Sequence, residues 1–238
     1  MKHPFLWALG AGVLVLVLAF VAPLIHMVAG PAAAGRAPEQ GLPWQTSVQG
    51  DGSLQVMGLQ VGRMRLADAR VTLGDSLQVA LVGKVGEVGV LEGLVDPFSA
   101  SFVTGRLVLA FDVPAATLRG WRDRAEHSEA MEGGLRRFEL QPADREASQQ
   151  ATLIGLSLVP GVRLSEDDVR QRFGAPAETL DQADGAKALL YPERGLVATV
   201  SPGSKGVLQY VAPRDFEARL KAPLVAAKTT SGAASATK

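Results

Sequence analysis

Apolar residues fill positions 5–29 without a single Asp, Glu, Lys or Arg, and nowhere else does the chain repeat a run of that length. As a helix, those 25 residues would reach roughly 37 Å, enough to cross a hydrocarbon core of about 30 Å. A helix satisfies its backbone hydrogen bonds internally, as lipid requires, so the pattern predicts an N-terminal transmembrane helix. Residues 1–4 then form a cytoplasmic stub and the Pro/Ala/Gly-rich residues 30–41 a linker. Lys2 precedes the run, whereas Arg36 after it is offset by Glu39, which places the N-terminus in the cytoplasm and the bulk of the chain in the periplasm. Pro31-Ala32-Ala33-Ala34 supplies the small residues of a signal-peptide cleavage site, although the run exceeds the usual apolar core of such peptides. Cleaved or retained, the segment sends the remainder out.

Beyond the linker the apolar pattern breaks into short elements. Gly50-Asp51-Gly52 marks a turn between two extended runs. Residues 58–74 carry Met64, Ala67 and Val71, with Leu66 and Leu73, on the face of a two-turn helix stopped by Gly74. Strands are predicted at 77–82, 88–95 and 102–113, the last alternating Leu107, Leu109 and Phe111 against Arg106, Val108 and Ala110. Pro114 opens a helix that packs Leu118, Trp121 and Ala125 and runs on to Gly133-Gly134, with Asp123 and His127 on its solvated side. A strand at 135–140 follows, then a second Pro-initiated helix whose stripe is Ala143, Ala147, Ala151 and Ile154. Ser165 and Asp168 form a capping pair for a helix that packs Leu164, Val169 and Phe173 and ends at Gly174 and Pro176. Four strands are predicted at 177–182, 187–191, 195–200 and 206–211, then a final helix from Pro213 to Leu220. Together these predict an α+β fold: an N-terminal transmembrane helix followed by tandem small units of short helix plus antiparallel sheet. The first unit covers 42–141 and the second 142–220, with 221–238 a disordered tail.

The two short helices echo one another at a separation of 100 residues, through Asp68/Asp168, Ala69/Val169, Arg70/Arg170, Leu73/Phe173 and Gly74/Gly174. The second copy, through Gly161, Ser165, Glu166, Val169, Phe173, Gly174 and Pro176, resembles the small outer-membrane-assembly lipoproteins of the SmpA/OmlA type. A tandem of such units is also similar to the fold of β-lactamase inhibitor proteins. The resemblance implies a non-catalytic domain that binds other envelope proteins; it transfers no binding residue. The family's lipidated cysteine is missing here, and the first copy lacks the Gly-x-Pro ending, reading Gly74-Asp75-Ser76.

Composition narrows the chemistry. Lys plus Arg equals Asp plus Glu at 24 each, so no net field draws in nucleic acid. With no cysteine there are no disulfides, thiolate zinc sites, iron–sulfur clusters or thiol catalysis. Of the three histidines, His3 and His26 belong to the membrane segment and its flank, leaving His127 alone. Lys84, Lys187 and Lys205 are the formal partners for a Ser–Lys pair. The run from Gly83 to Gly89 lacks the Gly-Lys-Ser/Thr ending of a phosphate loop, and Gly203-Ser204-Lys205 has the wrong order. Glu166-Asp167-Asp168 suits a helix N-terminus as well as a cation, and Arg63, Arg65 and Arg70 suit lipid phosphate or an acidic partner as well as a solvated helix face. Trp44 suits either the membrane interface or the core.

No catalytic, cofactor-binding or metal-binding residue is assigned. The expectation is a membrane-anchored periplasmic adaptor that is not an enzyme, needs no cofactor, and binds envelope proteins but not nucleic acid, with lipid met through the N-terminal helix. The alternatives are a bitopic subunit of a secretion, pilus or lipid-transport assembly and, further off, a cell-envelope hydrolase. A reporter fused after Leu220 is expected to be digested by protease added to spheroplasts; full protection would contradict the orientation.

Overall fold

The computed structural model describes residues 41–182 and 185–227. Most of the regular structure is antiparallel sheet. Three short strands, β1 (Ser47–Val48), β2 (Leu54–Val56) and β3 (Leu59–Val61), form one small sheet. Ten more form a second: β4 (Gln78–Lys84), β5 (Val90–Ala100), β6 (Val103–Asp112), β7 (His127–Ala130), β8 (Leu135–Glu139), β9 (Thr152–Pro160), β10 (Glu178–Asp181), β11 (Lys187–Tyr191), β12 (Leu196–Val200) and β13 (Val207–Tyr210). Their spatial order is β10-β11-β12-β13-β9-β6-β5-β4-β8-β7. The helices are short: α1 (Leu66–Leu73), α2 (Ala115–Asp123), α3 (Pro142–Ser148) and α4 (Glu166–Phe173). A last helix, α5, covers 216–227 and includes a π-helical turn at Glu217–Lys221.

Cross-strand register explains the packing. On one face Val95, Leu107, Leu158, Leu208, Ala198 and Leu189 stand opposite one another across six strands. All six are buried in the main core. The small sheet covers this face with Leu54, Val56, Leu59 and Val61, and the helices add Leu66 and Ala69 (α1), Leu118 and Trp121 (α2), and Val169 and Phe173 (α4). Trp44 belongs to this layer: its ring lies 6.0 Å from that of Phe102 and the Arg172 guanidinium sits 4.9 Å above it, a cation–π contact. Beside it the buried Tyr210 hydroxyl donates to the Pro43 carbonyl at 3.0 Å. On the opposite face α5 packs Phe216, Leu220 and Leu224 against Ala188, Leu190, Val197 and Val211.

Helices α1 and α4 are each eight residues long and end alike. Asp68 accepts from the Arg65 amide at 3.2 Å and Asp168 from the Ser165 amide at 3.0 Å. The Gly74 amide donates to the Arg70 carbonyl and the Gly174 amide to that of Arg170. Only α4 has a hydroxyl at the N-cap, where Ser165 Oγ also accepts the Asp168 amide at 3.0 Å.

The α+β expectation is corrected. The described chain is mostly antiparallel sheet with few helices, and both halves enter one ten-stranded sheet instead of closing as tandem units. The joint is β9, which pairs with β6 on one side and β13 on the other. Among the described residues no helix is long and apolar enough to cross a membrane; residues 5–29, where the sequence predicts a transmembrane helix, lie outside them.

Smaller differences have local causes. The Pro142 helix stops at Ser148, and Ala151 and Ile154 turn out to lie at and beyond the entry to β9. Helix α2 ends at Asp123, because Arg124 is drawn into a two-pronged contact with the buried Asp144 (2.8 and 2.6 Å), a fork geometry that guanidinium and carboxylate share. His127 thereby moves from a helix face to strand β7. In α1 the buried residues are Leu66 and Ala69, and Val71 is 87% exposed. Helix α5 runs on to 227 because Leu224 reaches the apolar face; 228–238 lie outside the described residues.

Replacing the fully buried Leu158 by Ala is expected to cost about 2–5 kcal/mol, read from urea unfolding. Circular dichroism and tryptophan fluorescence should move together to one lower midpoint. Two separated transitions would contradict a single sheet.

Candidate functional site

One face of the sheet packs the main core, and among the described residues two smaller apolar clusters lie on the other face, towards its two ends. There α5 covers one end, and at the other Met131 packs on Ala80, Val82 and Leu135. Polar side chains lie along this second face: Gln209 on β13, Ser157 on β9 and Glu92 on β5 are all buried. Both amide atoms of Gln209 lack a hydrogen-bond partner.

Glu92 stands between Ala80 and Ala110 in register, in a depression of about 60 Å³ lined also by Val82, Leu94, Val108, Met131 and Arg137. Burial disfavours its charged form and pushes its pKa up to about 8. The carboxyl is therefore protonated at neutral pH, which lets it sit among alanine, valine and leucine side chains.

A cleft of about 420 Å³ continues from this depression to the sheet edge. Its polar lining comes from five elements: Arg70 (α1), Gln78 (β4), His127 and Glu129 (β7), Arg137 and Glu139 (β8), and Arg145 (α3). Alternation along the strands brings the β7 and β8 residues to one side, where Glu129 faces Arg137 and His127 faces Glu139. Arg145 is occupied, lying 3.6 Å from Glu139 and donating to the Leu140 carbonyl at 3.0 Å. Arg70 and Arg137 are half-buried, and neither makes an ion pair or side-chain hydrogen bond among the described residues. A half-buried guanidinium without a partner gives up hydration and receives nothing in exchange. Arg219 on α5 and Lys84 on β4 are also half-buried without an ion pair among the described residues; what sets Arg70 and Arg137 apart is that they line one cleft.

The residues singled out by sequence are dispersed. The Arg63/Arg65/Arg70 cluster separates: Arg63 pairs with Asp51, Arg65 donates to Gln150, and only Arg70 reaches the cleft. Hydrogen bonds from Ser53, then from Arg63, hold the Asp51 carboxyl far below the usual range. Glu166 is taken by Arg170 and Lys187, whose hydrogen bonds lower its pKa in that order, and Asp168 is held low chiefly by Ser165. These contacts use up the charge that a cation would need, and among the described residues no three His, Asp or Glu side chains gather for one. Lys187, a candidate for a Ser–Lys pair, lies 3.0 Å from Glu166. The run from Gly83 to Gly89 makes the β4–β5 turn, where a Cβ on Gly83 would come within 2.6 Å of the Gly89 Cα. That is a packing role, with no free cradle for a phosphate.

Sequence reasoning missed Glu92, Arg137 and Arg145. The available signal was modest: Glu92 is the lone charge between Val90-Leu91 and Leu94-Val95 in a strand whose two faces are both apolar. Compared with family models, with curated proteins and with solved structures, the chain matches none of them. The resemblance to SmpA/OmlA-type domains thus rests on Gly161, Ser165, Glu166, Val169, Phe173, Gly174 and Pro176 and on the strands that follow them from Tyr191 to Tyr210.

Glu92 also sets a pH dependence. Its pKa is higher in the folded chain, about 8, than the ordinary glutamate value of 4.5, so between those values the folded state binds more protons than the unfolded. Stability from this group therefore falls as pH rises through that window, by up to about 1.4 kcal/mol per pH unit, and levels off above it. Glu92→Gln is expected to remove this slope, leaving the variant more stable than the wild type at pH 8 and the difference smallest near pH 4. Parallel stability curves for the two proteins would contradict the assignment.

Proposed function

We propose that the protein is a non-catalytic binding module that holds another protein at the cleft between β4, β7 and β8. The observation that carries the reading is the pair Arg70 and Arg137, half-buried and without partners at an open surface. Strand β7 adds to it. All four of its residues are exposed, and it forms one end of the sheet, where backbone groups are open to another chain. The resemblance at Gly161 to Pro176 favours the same class of function. The uncharged run 5–29 favours the outer side of the cytoplasmic membrane, and hence a partner in the bacterial envelope.

A photo-crosslinking residue at Glu129 tests this in intact cells. A discrete adduct with one envelope protein is expected, and it should disappear when Arg70 and Arg137 are both changed to Glu. The same residue placed at Val71, exposed on α1, serves as the surface control. No adduct from Glu129, or one indifferent to the two arginines, would contradict the reading.

A further inference from the structure

The floor of the arginine cleft is an interrupted strand ladder. Strand β8 pairs with β4 only from Leu81 opposite Phe138 to Lys84 opposite Leu135. On its other side β4 is paired from its first residue: Gln78 with Leu94, Val79 with Gly93 and Ala80 with Glu92. Among the described residues Gln78, Val79 and Ala80 therefore pair with no strand on the β8 side, and they line the cleft together with Leu77. The chain leaves β8 after Glu139 and turns into α3, so among the described residues no strand continues the line of β8 along β4, and the cleft lies there with Glu139 and Leu140 in its wall. Three residues of free edge extend about 10 Å, room for a short extended segment to add as a strand.

The charge beside that edge is explained by comparing α1 with α4. Arg170 donates to Glu166, one turn earlier, at 3.0 and 2.7 Å. Arg70 occupies the matching place in α1, but one turn earlier stands Leu66, which is fully buried. The first helix has given that position to the core, and its arginine has lost the carboxylate that its counterpart keeps. Arg137 faces Glu129 across the β7–β8 pair, yet forms no ion pair with it. A free anion would satisfy the arginines and leave the β4 edge unmet. A neutral extended chain would satisfy the edge and leave both guanidinia unmet. Glu129 and Glu139 at the same cleft oppose a dense polyanion, because like charges would be brought together.

We propose, resting on the reading of this cleft as a partner-binding site, that it takes an extended acidic peptide segment. Its backbone adds to β4 at Gln78–Ala80 in line with β8, and its carboxylates meet Arg70 and Arg137. Charge-assisted, forked contacts are the strong ones for arginine, and the backbone pairing sets the segment's direction.

Fluorescence anisotropy with the full-length protein and two labelled hexapeptides, alternating Glu-Val and alternating Gln-Val, tests the proposal. The Glu-Val peptide should bind, and more tightly than Gln-Val by about tenfold or more. Arg70→Gln with Arg137→Gln should abolish that preference, whereas Arg170→Gln, which removes a charge at the matching position of α4, should leave it intact. Hydrogen exchange should show new protection over residues 77–80 when the Glu-Val peptide is bound. Equal binding of the two peptides, or a preference that survives loss of both arginines, overturns the proposal. Inorganic phosphate or succinate binding as tightly as the Glu-Val peptide, without protection at 77–80, overturns it as well, since the cleft would then be a small-anion site. A crosslink from Glu129 in cells combined with no Glu-Val binding in solution removes the acidic-strand proposal while leaving the partner-binding reading standing.

Discussion

Everything in this fold depends on β9 lying between β6 and β13. Its backbone completes the ladder on both sides, and its Leu153, Leu156 and Leu158 are buried at the centre of the main core. Without it, β4–β6 and β10–β13 would be separate sheets, each with a long apolar edge exposed, a situation that natural proteins avoid. With it, one continuous apolar face accepts α1, α2, α4 and the small three-stranded sheet. The strand order is mirrored about the β13–β9 pair: β10-β11-β12-β13 on one side, β9-β6-β5-β4 on the other. The two eight-residue helices 100 residues apart precede the two meanders.

The candidate site follows from what breaks that mirror. Between β6 and β9 the first half carries additional chain, α2, β7, β8 and α3, with no counterpart in the second. This extra piece adds β8 and β7 beyond β4 and ties α2 to α3 through Arg124 and Asp144. Because β8 covers only part of β4, a cleft remains where the added piece meets the original sheet edge. The arginines arrive from both sides of the joint, Arg70 from α1 and Arg137 from the insertion. Beneath them Glu92 stays neutral through burial, which spares the floor of the cleft a second unpaired charge.

Much of the local structure was legible in the sequence. The alternation of Leu107, Leu109 and Phe111 marked β6, the Ser165–Asp168 cap and Gly174 marked α4, and the turn residues separated β10 to β13. The central strand was not legible, for a physical reason. A bulge opposite Ala110 and Phe111 inserts Ile154 into β9, so Leu153 and Leu156, three residues apart, both face the core. That spacing belongs to a helix, and with Pro142 and the alanines before it the segment reads as one. The two-unit reading rested on the echo between Asp68–Gly74 and Asp168–Gly174 and on the resemblance of the second copy; with β9 read as a helix, the strand that pairs with both β6 and β13 was not in view. The cleft was still harder to foresee. Arg70 is distinguished from Arg63 and Arg65 only by which neighbours the fold supplies, and Arg137 only by the place where β8 stops.

Native-state hydrogen exchange tests the role of β9 most directly. If this strand holds one ten-stranded sheet together, the amides of Leu156 and Leu158 exchange as slowly as those at the centres of β6 and β13. All of them should also share one opening free energy equal to that of global unfolding. Faster exchange in β9 than in its two neighbours, or separate opening energies for the β4–β6 and β10–β13 sides, would contradict the account.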